Sequence, residues 1–137
     1  MNEVFADTCY WIALLDSRQS LHEEARAASQ ARQNRRIVTS EFVLMELMNF
    51  FGNKGPQLKG TVADLLEKLY ADPNVTVVRA TSSLFQKTKA LFAERLDKEW
   101  GGVDCSSFCI MQARSIDEVL TEDHHFEQAG FTVLLKG

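Results

Sequence analysis

The stretch VFADTCYWIALL, residues 4–15, decides the fold class of this chain. Its first three residues form a compact apolar run, as a strand does when a parallel sheet buries both of its faces. The segment from Thr8 to Leu15 is apolar on nearly every side, which predicts a buried helix. Asp7 lies at the junction between the two. A strand that runs directly into a helix is typical of an α/β fold.

The same alternation continues along the rest of the chain. Further β-rich runs lie at residues 36–39, 75–78 and 118–121, and an edge strand is predicted at 131–135. Helical patterns lie at residues 21–33, 42–51, 57–71, 83–97 and 104–114. This order predicts a three-layer α/β/α domain with a central, mostly parallel four- to five-stranded sheet. No repeat or linker interrupts it, so residues 1–137 are predicted to form a single domain.

The composition excludes a disordered chain and a basic nucleic-acid binder. Hydrophobic residues make up 45% of the 137 positions, with only two prolines and seven glycines, which is enough apolar material for a core. The formal net charge of −4 argues against tight, non-specific binding to duplexes. It is compatible with an enzyme that meets phosphate groups through a bound cation.

Neither the cysteines nor the N-terminal residues indicate export or a membrane. The three cysteines include no CxxC pair, and we expect them to be reduced and mostly in the core. The first residues lack the basic region of a signal peptide. No apolar run approaches the ~20 residues that a bilayer requires. We therefore expect a cytoplasmic protein with no membrane association.

Four acids fall at places where a site is expected. Ligands of open α/β sheets bind beyond the carboxyl ends of the strands. Asp7 follows the first predicted strand and Asp123 follows the fourth. Glu46 is the only charged residue in the apolar helix at 42–51, and Asp104 opens a later helix. Their joint placement predicts one shared pocket.

Each acid also has a structural interpretation when it is taken alone. Asp104 and Asp7 can cap helices, and Asp123 can be a turn residue. Glu46 can point to solvent, but Asn49 one turn later is the only other polar residue of its helix. The two form a narrow polar stripe, which suits the wall of a small pocket, and Asn49 is a candidate to orient Glu46.

Four segments carry these acids in a fixed order: VFADT at 4–8, TSEFVLMEL at 39–47, DCSSF at 104–108, and LTEDHHF at 120–126, followed by AGF at 129–131. Together they resemble the PIN-domain family, and within it the VapC-like branch of toxin ribonucleases. The resemblance spans essentially the whole chain. It implies a metal-dependent endoribonuclease that hydrolyses RNA phosphodiester bonds and leaves a 5′-phosphate and a 3′-hydroxyl.

Carried over residue by residue, the resemblance also implies the site. One departure is Gly101-Gly102-Val103, where the family often has a hydroxyl residue before the third acid, and this puts a capping contact in doubt. The catalytic acids fall on Asp7, Glu46, Asp104 and Asp123, with supporting hydroxyls at Thr8, Thr121 and Ser107.

The chemistry of such a cluster requires a cation. Two like charges ~4 Å apart repel by roughly 4 kcal/mol at an effective dielectric of about 20. Oxygen ligands select Mg²⁺ or Mn²⁺. Our hypothesis assigns metal coordination to Asp7, Asp104 and Asp123, and the positioning or deprotonation of the attacking water to Glu46.

Partners and rival functions follow from the same features. The resemblance implies a cognate antitoxin and a homodimer.

One rival function is that of a non-catalytic binding module with the same fold, which would use the helices at 42–51 and 57–71 as a partner-binding groove. A less favoured rival is an aspartyl-phosphate phosphatase or receiver, with Asp7 as phosphoryl acceptor. The phosphatase usually has a second aspartate two residues later, where this chain has Cys9.

Overall fold

The computed structural model describes residues 2–31 and 35–136. Within them, five strands form one sheet: β1 (Asn2–Ala6), β2 (Arg35–Ser40), β3 (Val75–Val78), β4 (Glu118–Leu120) and β5 (Thr132–Val133). Their order is β3-β2-β1-β4-β5, and all four neighbouring pairs are parallel. The predicted three-layer α/β/α fold with a mostly parallel sheet is therefore confirmed.

Seven helices accompany the sheet in the described ranges: α1 (Thr8–Leu15), α2 (His22–Ala31), α3 (Glu41–Phe51), α4 (Pro56–Ala71), α5 (Ser82–Glu94), α6 (Gly102–Ala113) and α7 (His124–Gln128). None of them is both long and apolar enough to cross a membrane.

β1 lies in the middle of the sheet because the run that opens the chain is apolar on both faces. Val4, Phe5 and Ala6 are at most 1% exposed. Burying a phenylalanine side chain of this kind contributes about 1.5–3 kcal/mol. β1 pairs with β2 on one side and with β4 on the other, so Asp7 is held at the centre of one edge of the sheet.

The helix that carries Glu46 starts directly from the strand before it. Ser40 ends β2, and its side-chain oxygen accepts a hydrogen bond from the Val43 backbone N–H at 3.1 Å, which caps α3. Val43, Leu44, Leu47 and Phe51 are buried on one face of α3. This packing fixes the face from which Glu46 extends.

Most predicted bounds differ from the observed ones by one or two residues, and the larger differences are as follows. The helix predicted at 83–97 ends at Glu94, since Arg95 leaves the helical conformation and pairs with Asp97 at 3.0 Å. The edge strand predicted at 131–135 is confined to Thr132–Val133. α7 was not predicted. The pattern at 21–33 corresponds to α2, and its residues 32 and 33 lie outside the described residues.

Candidate active site

The carboxyl edge of the sheet gathers all four predicted acids. Asp7 follows β1 and Asp123 lies just after β4, while α3 contributes Glu46 and α6 contributes Asp104. They line one open cavity of about 640 Å³. The cavity is completed by Thr8, Cys9, Ile12, Phe50, Glu122, His124 and His125. The sequence prediction that these acids share a pocket therefore agrees with the geometry.

Asp7 is the most deeply placed of the four, with only 6% of its surface exposed. The Thr121 hydroxyl donates a hydrogen bond to its Oδ2 at 2.9 Å. Burial raises the pKa of Asp7 to about 7, and the negative charges of Asp104 and Glu46 add to the rise. Although Asp7 precedes α1, its side chain makes no capping hydrogen bond. Its position is thus unfavourable for a carboxylate unless a cation is bound.

Glu46 is exposed, as its structural interpretation required, but it also borders the cavity. Its Oε1 accepts a hydrogen bond from the Thr8 hydroxyl, which fixes the direction of the carboxylate. Met45 and Met48 are exposed on α3 as well, so the exposed surface of this helix is not confined to the predicted polar stripe of Glu46 and Asn49. Asn49 is exposed too, and it is not among the residues that line the cavity.

The carboxylate of Asp104 both caps the start of α6 and faces the cavity. Its Oδ2 accepts a hydrogen bond from the Gly101 backbone N–H at 3.0 Å, which is the capping contact expected at a helix start. The same oxygen lies 3.3 Å from Nδ1 of His125 inside the cavity. Burial raises the pKa of Asp104, and the charge of Asp123 raises it further. The cap and the site therefore coexist on one carboxylate.

Asp123 is held by the start of α7. Its Oδ1 accepts a hydrogen bond from the His125 backbone N–H at 2.9 Å and lies 3.2 Å from Nδ1 of that residue. The Asp123 backbone N–H donates to the Thr121 hydroxyl at 3.1 Å. Thr121 thus links the loop of Asp123 to the carboxylate of Asp7.

A comparison with known protein families now decides the family. The family model described as PIN domain matches residues 4–132. This chain belongs to the PIN domain family. The match includes at least part of every strand and all four acids, and it agrees with the resemblance seen in the sequence.

Solved structures agree with this PIN domain in fold. VapC20 of Mycobacterium tuberculosis, described as a sarcin–ricin loop cleaving toxin, has a TM-score of 0.86 at 23% identity, over 96% of this chain and 98% of that one. A toxin–antitoxin complex from Klebsiella pneumoniae has a TM-score of 0.66 at 16% identity, over 96% and 95%. FitAcB of Neisseria gonorrhoeae has a TM-score of 0.64 at 17% identity, over 96% of both chains. A search of curated protein sequences finds no significant match.

The cavity of this PIN domain contains residues that the sequence did not single out as site residues. Cys9 lies with its Sγ 3.2 Å from the Thr121 hydroxyl, and burial raises the pKa of its thiol to about 11. The position of Cys9 two residues after Asp7 was a usable signal, because it places the thiol in the first turn of α1. For His124 and His125, the signal was their direct succession to Asp123.

Of the three predicted supporting hydroxyls, those of Thr8 and Thr121 contact the acids, whereas that of Ser107 does not line the cavity. Thr8 and Thr121 each donate to one of the acids. Ser107 is fully buried, and its Oγ has no hydrogen-bond partner among the described residues. It does not line the cavity. Its predicted role remains a prediction.

The donor set of the cavity fits a hard divalent cation. Every charged side chain in its described lining is acidic apart from the two histidines, and none is a lysine or an arginine. Carboxylate oxygens are the ligands that Mg²⁺ and Mn²⁺ prefer. Burial is the main cause that raises the pKa of Asp7 and of Asp104, and the charges of neighbouring carboxylates add to it.

Proposed function

We propose that this PIN domain is a metal-dependent endoribonuclease that hydrolyses RNA phosphodiester bonds, in the VapC-like toxin branch of the family. One observation carries the proposal: acids from four separate elements meet in one open cavity whose described lining has no lysine or arginine. An uncompensated cluster of this kind is costly, and a bound cation removes the cost. The fold shared with VapC20, which is described as a toxin that cleaves the sarcin–ricin loop, supports RNA as the substrate.

In this proposal Asp7, Asp104 and Asp123 hold Mg²⁺ or Mn²⁺. When bound, the ion supplies positive charge for a phosphate oxygen and lowers the pKa of a water. Thr121 keeps the Asp7 carboxylate turned toward the cavity by donating to Oδ2. Asp104 and Asp123 are held in place by backbone N–H groups, at 3.0 Å and 2.9 Å. The ligands are therefore positioned before an ion arrives.

Glu46 acts as the general base. The Thr8 hydroxyl occupies Oε1, which leaves Oε2 to accept the proton of the attacking water. The water oxygen forms the new bond to phosphorus while the bond from phosphorus to the 3′ oxygen breaks. The leaving 3′ oxygen takes a proton from solvent. The products are a 5′-phosphate and a 3′-hydroxyl, as the family resemblance implies.

The proposal includes a cognate antitoxin, as part of a type II toxin–antitoxin pair in the cytoplasm. Two of the solved structures with this fold are described as a toxin–antitoxin complex and as VapBC2 bound to promoter DNA. This chain carries an apolar groove of about 420 Å³ between α3 and α4, with Met45, Met48 and Tyr70 exposed along it. Methionine-rich grooves adapt well to an apolar helix. We assign this groove to the antitoxin.

A homodimer is also proposed. Phe85, Phe92 and Leu96 are exposed on α5 and just after it, and none of them lines the α3–α4 groove. Exposed large apolar side chains that form a contiguous patch mark protein interfaces. Sedimentation analysis of the purified chain distinguishes a dimer from a monomer.

The α3–α4 groove is also compatible with one alternative function, that of a non-catalytic PIN-fold binding module. Such a module would use the same groove for its partner but would have no need of a bound cation. Calorimetric titration with Mg²⁺ separates the two functions. Heat of binding that the Asp7→Asn variant lacks supports the nuclease, and the absence of binding favours the module.

The direct test is an RNA cleavage assay. Structured and single-stranded RNAs are incubated with the wild-type chain and with Asp104→Asn, in Mg²⁺, in Mn²⁺ and in EDTA. We expect cleavage by the wild type in both metals, and none in EDTA or by the variant. End-group analysis should find 5′-phosphates. Cleavage that persists in EDTA would refute the metal-dependent mechanism.

A further inference from the structure

A second group of metal-ligating side chains lies at the rim of the cavity, at the junction of β4 and α7. Asp123, His124 and His125 each offer one ligand atom, and these atoms all lie within 4.8 Å of one another. Nδ1 of His124 is 3.7 Å from Oδ1 of Asp123, and Nδ1 of His125 is 3.2 Å from the same oxygen. One ion with bond lengths of about 2.0–2.2 Å reaches two atoms up to about 4.4 Å apart, which covers both of these pairs.

The chemistry of this group differs from that of the acid cluster. Two of its three ligands are imidazole nitrogens, which suit borderline ions such as Zn²⁺ and are poor ligands for Mg²⁺. Adjacent histidines lack the spacing of common zinc motifs. Here the first turn of α7 brings both rings to the same carboxylate, with ring centroids 4.4 Å apart.

An independent observation at His125 points to a missing ligand. Its Nδ1 is fully enclosed, yet it makes no hydrogen bond of normal geometry with any described residue. It lies between two carboxylates, 3.2 Å from Asp123 and 3.3 Å from Asp104. When Nδ1 carries no proton, its lone pair faces these two carboxylates, and a metal ion can bind the nitrogen together with an acid oxygen.

The rim is also open to an ion from solvent. The side chain of His124 is 70% exposed, whereas that of His125 is 21% exposed. His124 can therefore meet a hydrated ion first, while His125 and Asp123 lie deeper. Asp104, beside His125, supplies further negative charge next to the group.

We propose that Asp123, His124 and His125 form a second divalent-cation position that binds Zn²⁺ in preference to Mg²⁺. It shares Asp123 with the proposed magnesium site, so an ion at the rim competes with the catalytic one for that carboxylate. Binding of Zn²⁺ here does not depend on the proposed nuclease activity. Only its consequence, inhibition of cleavage by Zn²⁺, rests on the proposed function.

The test compares two substitutions by calorimetric titration of the full chain with Zn²⁺ and separately with Mg²⁺. His124→Gln removes one rim ligand from an exposed side chain, and Asp7→Asn removes a ligand of the acid cluster alone. We expect His124→Gln to weaken Zn²⁺ binding by ~10-fold or more and to leave Mg²⁺ binding unchanged. We expect Asp7→Asn to show the reverse. Circular dichroism melts establish that both variants are folded.

A spectroscopic probe identifies the ligands. Co²⁺ added to the wild type should give a visible absorption band without a thiolate charge-transfer band, and His124→Gln should lose it. Three results would overturn the proposal: equal Zn²⁺ affinity in wild type and His124→Gln, loss of Zn²⁺ binding in Asp7→Asn, or a thiolate band that places the ion on Cys9. Zn²⁺ binding by a chain that cleaves no RNA would refute the nuclease and leave this site intact.

Discussion

Acidic residues at the amino end of the sheet are paired with arginines, whereas, among the described residues, those at the carboxyl end are not. At the amino end, Glu3 pairs with Arg114 at 2.8 Å and Glu118 pairs with Arg35 at 2.5 Å, around a cavity of about 400 Å³. At the carboxyl end, the four acids of the candidate site line a cavity whose described residues include no arginine or lysine. At the amino end, arginines of the same chain neutralise the carboxylates. At the carboxyl end, the described lining of the cavity supplies no lysine or arginine to do so.

The pKa values follow the same division. A hydrogen bond from Arg114 lowers the pKa of Glu3, while burial raises the pKa of Asp7 to about 7. Carboxylates that stabilise a fold are paired, and carboxylates that serve a site are often destabilising until a ligand binds. The comparison therefore predicts that substitutions at the carboxyl end will change cleavage and metal binding, whereas substitutions at the amino end will change only the stability of the fold.

The largest expected difference is in catalysis. Asp104→Asn should lower the rate of RNA cleavage by at least about a thousandfold, or about 4 kcal/mol of activation free energy, because a metal ligand is lost. Glu118→Gln, a matched loss of charge at the amino end, should leave the rate within about twofold. Single-turnover cleavage in Mg²⁺ measures both. Comparable rate losses in the two variants would remove the functional distinction between the two ends.

The next effect is stabilisation by the metal. At 100 times its dissociation constant, Mg²⁺ should raise the free energy of unfolding of the wild type by about 2.7 kcal/mol. Asp7→Asn should show little of this gain, and Glu3→Gln should show all of it. Urea unfolding with and without Mg²⁺ measures the gain. Equal stabilisation of Asp7→Asn would place the ion elsewhere.

A pH dependence of comparable size is expected in EDTA. The folded-state pKa of Asp7 lies above its ordinary value of 3.8, at about 7, so the folded state binds more protons between these values. The free energy of unfolding should therefore fall as pH rises from about 4 to 7, by up to roughly 1.4 kcal/mol per pH unit from this group. Urea unfolding of wild type and Asp7→Asn across this range isolates the contribution. A slope that survives in Asp7→Asn belongs to another residue.

The smallest effect is expected at the amino end. Glu3→Gln removes a partly exposed ion pair with Arg114, and such pairs contribute only about 0.2–1 kcal/mol. The folded pKa of Glu3 is lowered, so its contribution is present at neutral pH and is lost as pH falls below about 4.5. Thermal unfolding at pH 7 and at pH 4 should show the difference shrinking in acid. A larger loss at acid pH would contradict this sign.

Much of this fold was predictable from local patterns. The strand at residues 75–78 and the helix Thr8–Leu15 were predicted with the bounds that the structure has. In both, an uninterrupted apolar run shows where the element begins and ends. The meeting of the four acids was predictable from one topological rule, since parallel strands end at the same edge. The helical acids Glu46 and Asp104 were predicted from their positions, as the only charge in an apolar helix and as the acid at a helix start, and the family resemblance implied the same residues.

What could not be predicted depends on contacts between distant segments. The hydroxyl of Thr121 bonds to Asp7, 114 positions away, and no local pattern encodes that contact. α7 is only five residues long and owes its start to the cap from Asp123, so it has no periodicity to detect. The exposed methionines of α3 look like core residues in the sequence, because an unpartnered apolar face has the same composition as a buried one.

The pairing of β1 with β4 has a consequence for synthesis of the protein. Asp7 is synthesised more than 100 residues before the strand β4 beside it and the carboxylate of Asp123. A nascent or prematurely terminated polypeptide that stops before that point carries three of the four acids and lacks the threonine that orients the first. In the proposed nuclease, the site therefore cannot form until synthesis has passed Asp123.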